Sequence, residues 1–309
     1  MSFLARGEYS LNYLVSGGGR RYVARLVTGT QMGLPLGEQA LYEHHALALV
    51  APSGVTPLPH LADPGADGLP YPVILEDYLP GRPLDYATDL AAAARCVAAV
   101  HALGVPEGHG LQLHPDPAPA VLEESAELVT PYLEWEGGTE ASKQALEAAF
   151  DRIREYQEIE GLFEPRDLAV VNYDLNTHNF VVEGGEARLL DWEKARVAPR
   201  TEDVAHFLLP TTTLWREETA VRLTPAQERE FLEEYAGRAG IGGDERERFE
   251  TQLAAVRVMI SLRAVSWCAW ALQAHERGER ATTEETLGRA RMYLEPGFLE
   301  GLFGLRRTG

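Results

Sequence analysis

Short runs of alternating apolar and polar positions fill the start of the chain, a pattern that is typical of strands. Residues 1–27 contain several such runs separated by glycines, and the pattern predicts an antiparallel meander. From Leu36 to Val50 the apolar positions recur at helical spacing instead, so we expect a helix there. A later apolar run, residues 71–75, predicts another strand, and the Pro80-Gly81 pair that follows marks a change of architecture.

Helical periodicity dominates the rest of the chain. The segments that show it are residues 85–103, 118–128, 143–159, 225–274 and 282–305. We therefore expect an α+β protein with two lobes, a small N-terminal lobe of mostly antiparallel sheet with one helix and a large, mostly helical C-terminal lobe. The predicted boundary lies near Leu79 to Gly81, which gives domains of residues 1–79 and 80–309.

One strand-rich island interrupts the helical part. Two short apolar runs flank the turn at Gly184-Gly185, which predicts a hairpin. With these glycines as the loop, the register places Asn179 opposite Leu190, one step from Asp191. Asp174 precedes Asn179 by five residues, in the loop that leads into the same end of the hairpin. We therefore expect these three polar side chains to converge at that end.

The three side chains suit phosphoryl transfer. The amide oxygen of Asn179 and the carboxylate of Asp191 are ligands of the kind that hold Mg²⁺ while nucleotide phosphates fill other positions. Asp174 is then placed to accept the proton of a substrate hydroxyl as it attacks the γ-phosphate. The alternative is that these residues cap turns or end a strand. Each residue alone fits that reading, whereas their joint spacing favours the chemical one.

Two features of the N-terminal part also prompt functional expectations. Glu43 falls in the apolar stripe of the predicted helix, and a buried carboxylate needs a partner because desolvating an isolated charge costs several kcal/mol. The alternative is a position at the edge of the stripe, in water. The segment from Gly7 to Asn12 is the candidate for a phosphate contact, because its backbone amides and the Ser10 hydroxyl can donate hydrogen bonds.

Composition and charge narrow the class of protein. The chain has 309 residues, 45% of them hydrophobic, which is enough for a substantial core. Its two cysteines, Cys96 and Cys268, lie in apolar stretches, so we expect buried thiols and no disulfide. The net charge of −19 argues against nucleic-acid binding and favours a cationic or metal-bound substrate. A soluble acidic surface is the other interpretation.

Two further features concern location and basic residues. No run approaches the ~18 apolar residues of a membrane span and no signal peptide is evident, so we expect a cytoplasmic protein without membrane contact. Of the 28 basic residues, two are lysines, Lys143 and Lys194, and the other 26 are arginines. A role that needs an ammonium group must fall to one of these lysines, or to an arginine in its place.

The motifs of the island and of the segments around it resemble those of a known group of enzymes. In chain order they are Tyr22-Val23-Ala24-Arg25-Leu26, Glu43-His44-His45-Ala46-Leu47, Tyr78-Leu79-Pro80-Gly81-Arg82-Pro83-Leu84, Val100-His101-Ala102-Leu103, Asp174-Leu175-Asn176-Thr177-His178-Asn179, Leu190-Asp191-Trp192-Glu193 and Glu202-Asp203-Val204-Ala205. The set is similar to the aminoglycoside phosphotransferase and choline kinase group, the small-molecule branch of the protein-kinase-like fold. The similarity spans most of the chain.

The resemblance implies roles for the catalytic loop. Asp174 is implied as the catalytic base, and Asn179 and Asp191 as Mg²⁺ ligands. Asp203 matches a buried structural acid that braces the catalytic loop. One pair departs from the group's pattern, since Asn172-Tyr173 stands where the group usually has His-Gly before the catalytic acid.

The resemblance also implies how the nucleotide is held. Arg25 is implied to contact the α and β phosphates, at a position where many kinases have lysine, with Glu43 as its ion-pair partner. Backbone groups near Asp77 and Leu79 are implied to hold the adenine. Ser10 and Asn12 complete the expected nucleotide site.

The implied activity is an ATP- and Mg²⁺-dependent transfer of the γ-phosphate to a hydroxyl of a small molecule. The acidic balance favours an amine-bearing acceptor, while aminoglycoside-, choline- and sugar-like acceptors, the choice of ATP or GTP and the oligomeric state stay open. Candidate acceptor contacts are Glu123, Glu124, Glu127 and residues 211–213. The alternatives are a non-catalytic nucleotide-binding switch or scaffold, which Asn172-Tyr173 favours, and a metal-dependent phosphohydrolase.

Overall fold

The structure is a computed structural model, and it describes residues 1–7, 9–65, 68–279 and 283–305. Packing divides the chain into two units, each built from three segments. Unit 1 comprises Met1–Leu113, Leu168–Asp203 and Thr224–Gly242, and unit 2 comprises His114–Asp167, Val204–Leu223 and Gly243–Gly309. This division differs from the expected domains of residues 1–79 and 80–309, which stay a prediction.

A five-stranded antiparallel sheet forms the first part of unit 1. Its strands are β1 (Ser2–Arg6), β2 (Ser10–Gly17), β3 (Arg20–Val27), β4 (Pro59–Asp63) and β5 (Val73–Asp77), in the spatial order β1-β2-β3-β5-β4. Gly18 and Gly19 both have positive φ and form the two-residue turn between β2 and β3, a conformation that matches the twist of the strands. The predicted meander of residues 1–27 is confirmed.

Helix α1 (Leu36–Val50) has the predicted bounds and packs on this sheet. Its Ala40 lies in one buried cluster with Val27 of β3 and Ile74 of β5. Side chains alternate between the two faces of a strand, so Arg25 points to the same face of β3 as Val27. The register of β3 thereby directs Arg25 towards α1.

The remainder of unit 1 contains the predicted island. Its further elements are β6 (Arg82–Pro83), α2 (Leu90–His101), β7 (Leu168–Val171), β8 (Phe180–Glu183), β9 (Glu186–Leu189), β10 (Arg196–Pro199) and α7 (Pro225–Ala239). Strands β8 and β9 pair in the predicted register, with Glu183 opposite Glu186. One step beyond their last pair, the Leu190 N–H donates to the Asn179 carbonyl at 2.7 Å. The predicted hairpin and its register are confirmed.

Unit 2 is helical in its described part. Its helices are α3 (Pro117–Leu133), α4 (Glu140–Gln157), α6 (Pro210–Thr213), α8 (Asp244–Glu276), α9 (Glu284–Tyr293) and α10 (Pro296–Phe303), while α5 (Thr201–Leu208) begins in unit 1 and ends in unit 2. The predicted helical region 225–274 is two helices, because α7 ends at Ala239 and the next residue, Gly240, caps it with a positive φ in the left-handed region. The expected α+β class is confirmed.

Helix α8 is long and apolar enough to cross a membrane by length and composition. However, 67% of its most apolar window is buried inside the protein, as in a core helix. Both cysteines, Cys96 in α2 and Cys268 in α8, are buried and unpaired, as predicted. The expected cytoplasmic location stays a prediction.

Candidate active site

The loop between β7 and β8 carries two of the candidate residues. The Asn179 side-chain amide donates to the Asp174 carbonyl at 2.7 Å, and the Asn176 amide contacts the Asp174 carboxylate at 3.2 Å. Asn176 also caps the short 3-10 helix Thr177–Asn179 by accepting from the backbone N–H of His178. These short-range bonds fix Asp174 and Asn179 relative to each other.

Asn172 connects this loop to the segment after β9. Its side-chain amide donates to the backbone carbonyl of Asp191 at 2.6 Å, and its oxygen accepts the Asp174 N–H at 3.1 Å. Asn172 is fully buried, so losing these bonds would leave polar groups unsatisfied. The residue thus links the backbones of Asp174 and Asp191.

Tyr173 holds a conformation that normally favours glycine. Its φ is 65°, in the left-handed region, where a side chain is sterically unfavourable. The Arg196 guanidinium lies 3.3 Å from the centroid of the Tyr173 ring, and Arg196 is itself fixed by Glu202 at 2.6 Å. The left-handed turn before Asp174 is therefore present although Tyr173 stands where the related group usually has glycine.

Asp203 contacts the same turn from α5. Its two carboxylate oxygens accept the backbone N–H groups of Asn172 and Tyr173, each at 2.8 Å. The ring of His101 contacts the same carboxylate at 3.2 Å, and Asp203 is only 1% exposed. A single buried carboxylate therefore joins α2 and α5 to the turn before Asp174.

Arg25 is the centre of a second cluster. Its Nη2 donates to Asp191 Oδ1 at 2.8 Å and to Glu193 Oε2 at 3.0 Å, and its Nε forms an ion pair with Glu43 Oε1 at 3.0 Å. Gln39 of α1 holds the same segment by donating to the Glu193 carbonyl at 2.9 Å. Arg25 and Glu43 are buried, whereas the Asp191 side chain is 27% exposed.

The charges of this cluster do not balance. Burial raises the pKa of Glu43 well above its ordinary value although Arg25 opposes the shift, and burial raises the pKa values of Glu76 and Glu193 to about 7. Asp191 adds to each of these shifts by repulsion. Burial lowers the pKa of Arg25, but the carboxylates outweigh it and raise that pKa overall. The region has more carboxylates than cations and suits an additional positive charge.

The other candidate nucleotide residues lie along the sheet. Asn12 is opposite Arg25 in the β2–β3 pairing, and its amide donates to the buried Ser10 hydroxyl at 3.3 Å. Asp77 ends β5 opposite Tyr22 of β3, which is three residues, or about 10 Å, from Arg25 along the strand. The Asp77 carboxylate contacts His60 at 2.7 Å.

Leu79 follows β5 and is half-buried. One residue of the predicted phosphate-binding segment Gly7 to Asn12, Glu8, lies outside the described residues. At its start, the Gly7 N–H donates to the Ser10 carbonyl at 2.9 Å.

Sequence reasoning did not find three of the contacts. It gave no role to Glu193 beside Arg25, to the Asn172 amide, or to Lys194, whose Nζ lies 2.9 Å from Asp174 Oδ2. Spacing in a loop carries no regular side-chain direction, so the motif alone does not reveal these partners. The one available signal was composition, because Lys194 is one of only two lysines.

Asn179 and Asp191 carry side-chain oxygen atoms of the kind that Mg²⁺ requires as ligands. Among the described residues no group of three or more His, Cys, Asp or Glu side chains could hold a metal ion. Mg²⁺ typically takes one or two carboxylates together with substrate phosphates and water, and it requires oxygen ligands. Asn179 and Asp191, on adjoining segments beside an excess of carboxylates, meet that description.

The chain belongs to the phosphotransferase enzyme family, whose family model matches residues 1–247. The expected relationship and the expected class of enzyme, a small-molecule kinase, are thereby confirmed. None of the curated proteins matches the chain.

Solved structures share the fold across nearly the whole chain. Spectinomycin phosphotransferase in complex with ADP and spectinomycin is 13% identical, with a TM-score of 0.67 over 98% of this chain and 92% of that one. Macrolide 2′-phosphotransferase from Brachybacterium faecium is 18% identical, with a TM-score of 0.61 over 100% and 92%. Plasmodium vivax ethanolamine kinase is 12% identical, with a TM-score of 0.62 over 96% and 83%. These similarities confirm the expected kinase-like fold.

Proposed function

We propose that this protein transfers the γ-phosphate of ATP, in a Mg²⁺-dependent reaction, to a hydroxyl of a small, amine-bearing molecule. The observation that supports the proposal is that hydrogen bonds join Asp174 to Asn179 and, through Asn172, to Asp191, whose carboxylate is paired with Arg25. Phosphoryl transfer relies on positioning and charge neutralisation, so it needs a base, a cation site and fixed positive groups more than a covalent nucleophile.

Asp174 is the proposed general base. Its carboxylate is held by Asn176 and Lys194 and is 29% exposed, so it is fixed and still accessible to an acceptor. The proton of the acceptor hydroxyl would pass to Asp174 as the acceptor oxygen attacks phosphorus. Asn172, Tyr173 and Asp203 support this assignment because they fix the backbone that carries Asp174.

Asn179 and Asp191 are the proposed ligands of Mg²⁺. The Asn179 amide nitrogen donates to the Asp174 carbonyl, so the amide oxygen points away from that carbonyl. An amide oxygen is an acceptor and can ligate a cation. When bound, Mg²⁺ would neutralise phosphate charge and orient the phosphate groups. Asp191 supplies the carboxylate, on a segment fixed through Asn172 and Gln39.

Arg25, Glu43, Ser10 and Asn12 are the proposed phosphate end of the nucleotide site, and the backbone near Asp77 and Leu79 is the proposed adenine end. Asp77 of β5 pairs with Tyr22 of β3, which lies about 10 Å from Arg25 along the strand. This spacing suits a nucleotide that lies along the sheet. The bound ADP of spectinomycin phosphotransferase supports an adenine nucleotide for a related fold.

The acceptor is proposed to be an amine because the protein carries a net charge of −19. Glu123, Glu124 and Glu127 of α3 are exposed, and Glu124 contacts Arg263 at 2.9 Å. These three residues therefore also fit the alternative interpretation, a solvated helix face that binds no acceptor. Thr211 and Thr213 are buried in α6. Contact of these residues with the acceptor stays a prediction.

Turnover tests the proposal. ADP release is measured with Mg²⁺ and ATP across a panel of amino-alcohols, aminoglycosides and sugars, and the phosphorylated acceptor is identified by mass spectrometry. We expect one acceptor class to stimulate ADP release and Asp174→Asn to lower kcat about 10²- to 10⁴-fold, which is the usual contribution of a general base. Asp151→Asn, an exposed residue of α4, is the matched control and should leave kcat unchanged.

Other outcomes select the alternatives. ATP binding without stimulation by any acceptor would favour the non-catalytic switch or scaffold. Phosphate release without a phosphorylated acceptor would favour the phosphohydrolase. Equal activity of Asp174→Asn and the unmodified protein would remove Asp174 from the chemistry.

A further inference from the structure

Lys194 is a half-buried lysine at the candidate active site, and none of the roles described above involves it. It is the only lysine within the residues of unit 1, since Lys143 belongs to unit 2. Its Nζ lies 2.9 Å from Asp174 Oδ2, and its side chain is only 17% exposed. Lys194 follows Asp191 by three positions. The segment that carries the proposed cation ligand, Asp191, therefore also places the Lys194 ammonium beside the proposed base, Asp174.

The charge of Lys194 is maintained by its surroundings. Burial disfavours the ammonium form, but Asp174, Glu193 and Asp191 outweigh burial and raise the pKa of Lys194 above its ordinary value. The Lys194 ammonium has three N–H donors, and within the described part of the chain it donates to Asp174. Two donors therefore remain for a further acceptor beside the Asp174 carboxylate.

A phosphoryl group is the acceptor that this position fits. A base carboxylate next to a terminal phosphate creates repulsion between two anions, and a shared ammonium relieves it by contacting both. A compact lysine head group suits this better than the planar fork of arginine, which is used for paired recognition of one anion. The chain has 26 arginines available, yet a lysine occupies this position.

We propose that Lys194 is a catalytic residue that binds oxygens of the phosphoryl group during transfer. The inference rests on the proposed function. As the acceptor oxygen bonds to phosphorus, the bond from phosphorus to the bridging oxygen of the leaving nucleoside diphosphate breaks. The acceptor proton passes to Asp174. Lys194 keeps its proton throughout and stabilises the charge on the transferred group through hydrogen bonds.

Nucleotide binding tests the proposal without an acceptor. The affinities for ATP and ADP are measured by titration calorimetry with Mg²⁺ for the unmodified protein and for Lys194→Met, Lys194→Arg and Lys143→Met. We expect Lys194→Met to weaken ATP binding about 10- to 100-fold, the loss of one charge-assisted hydrogen bond, and to change ADP binding less than twofold. Lys194→Arg should recover part of the ATP affinity, and Lys143→Met should match the unmodified protein.

A double variant separates direct contact from simple repulsion. In Lys194→Met/Asp174→Asn the carboxylate no longer repels the terminal phosphate. If Lys194 contacts that phosphate, the double variant still binds ATP more weakly than Asp174→Asn alone does. Recovery of the ATP affinity to the level of Asp174→Asn, or an unchanged ratio of ATP to ADP affinity in Lys194→Met, overturns the proposal.

These results are independent of the acceptor. If no acceptor is phosphorylated by the unmodified protein, the proposed function fails, and the affinity ratio still decides whether Lys194 contacts the terminal phosphate. Once an acceptor is known, Lys194→Met should lower kcat about 10²-fold or more, as expected for loss of one preorganised donor. The thermal midpoint without nucleotide identifies a variant that fails only by unfolding, and Lys194→Arg then provides the decisive comparison.

Discussion

Tyr173 combines an unfavourable backbone with favourable side-chain contacts. Its left-handed φ of 65° costs about 1–2 kcal/mol for a residue other than glycine. The ring packs against Arg196, and its N–H is bonded by Asp203. A site that keeps such strain is held by the contacts around it, here those that position Asp174.

Substitution at Tyr173 should therefore invert the usual preference for alanine over glycine. Both Tyr173→Ala and Tyr173→Gly lose the ring contact, but only alanine retains the left-handed cost, so we expect Tyr173→Gly to have the higher free energy of unfolding by about 1 kcal/mol. Urea titration measures this difference. At Leu41, an exposed residue inside α1, alanine should be the more stable by a similar amount. An Ala variant at least as stable as Gly at position 173 would contradict the argument.

Sequence reasoning at this scale succeeded where local geometry sets the answer. The two-glycine turn determines the hairpin register, and the register brings Asn179 beside Leu190 and Asp191. Glu193 and Lys194 lie beyond the last strand pair, where no repeat fixes the direction of a side chain. Their partners depend on Arg25 and Asp174, which are distant in sequence, so spacing could not identify them.

At the scale of secondary-structure elements, Arg25 connects a strand, a helix and a loop segment. It joins β3 to α1 through Glu43 and to the segment after β9 through Asp191 and Glu193. Glu43 is the most deeply buried of these carboxylates, whereas the Asp191 and Glu193 side chains retain 27% and 15% exposure. Loss of Arg25 should therefore lower the stability of the folded protein mainly because Glu43 loses its ion-pair partner.

The predicted consequence is a non-additive pair of substitutions. Arg25→Met should lower the free energy of unfolding by about 3–5 kcal/mol, because it leaves the buried Glu43 carboxyl without its ion-pair partner. Arg25→Met/Glu43→Met should be more stable than Arg25→Met, since two apolar side chains replace the pair. Chemical unfolding monitored by circular dichroism provides both values.

An exposed ion pair supplies the control for Arg25. Arg263 and Glu124 are 2.9 Å apart with side chains 33% and 46% exposed, so Arg263→Met should cost less than about 1 kcal/mol. A double variant no more stable than Arg25→Met alone would show that Glu43 is not the source of the loss.

Prediction of the elements from sequence was most accurate where the apolar stripe of a helix packs against a single sheet. Leu36–Val50 was predicted with the observed bounds because its stripe packs on one sheet face. The helical region 225–274 was predicted without its break, since both α7 and α8 continue the periodicity on either side of Gly240. Glycine there permits a left-handed cap, but sequence alone does not show that the chain uses it.

For the whole molecule, negative charge accumulates both overall and around Arg25. The net charge is −19, and Glu76, with a pKa of about 7, lies among the carboxylates that act on Arg25. A carboxyl with a higher pKa in the folded protein than in the unfolded chain binds its proton more tightly when folded. As pH rises from about 4.5 to about 7, the unfolded chain loses that proton first, so the folded state loses relative stability.

The nucleotide-free protein should therefore become less stable between pH 5 and pH 8, and Glu76→Gln should reduce the slope. At pH 8 we expect the thermal midpoint of Glu76→Gln to exceed that of the unmodified protein by a few degrees, since 1 kcal/mol of stability corresponds to about 2–4 °C. At pH 5 the difference between the two midpoints should be smaller. Calorimetry at constant ionic strength measures both midpoints. Glu123→Gln makes the same charge change on an exposed helix face, so it separates the effect of overall charge from the effect of Glu76 itself. If both variants flatten the slope equally, repulsion across the whole surface, and not burial of Glu76, governs the pH dependence.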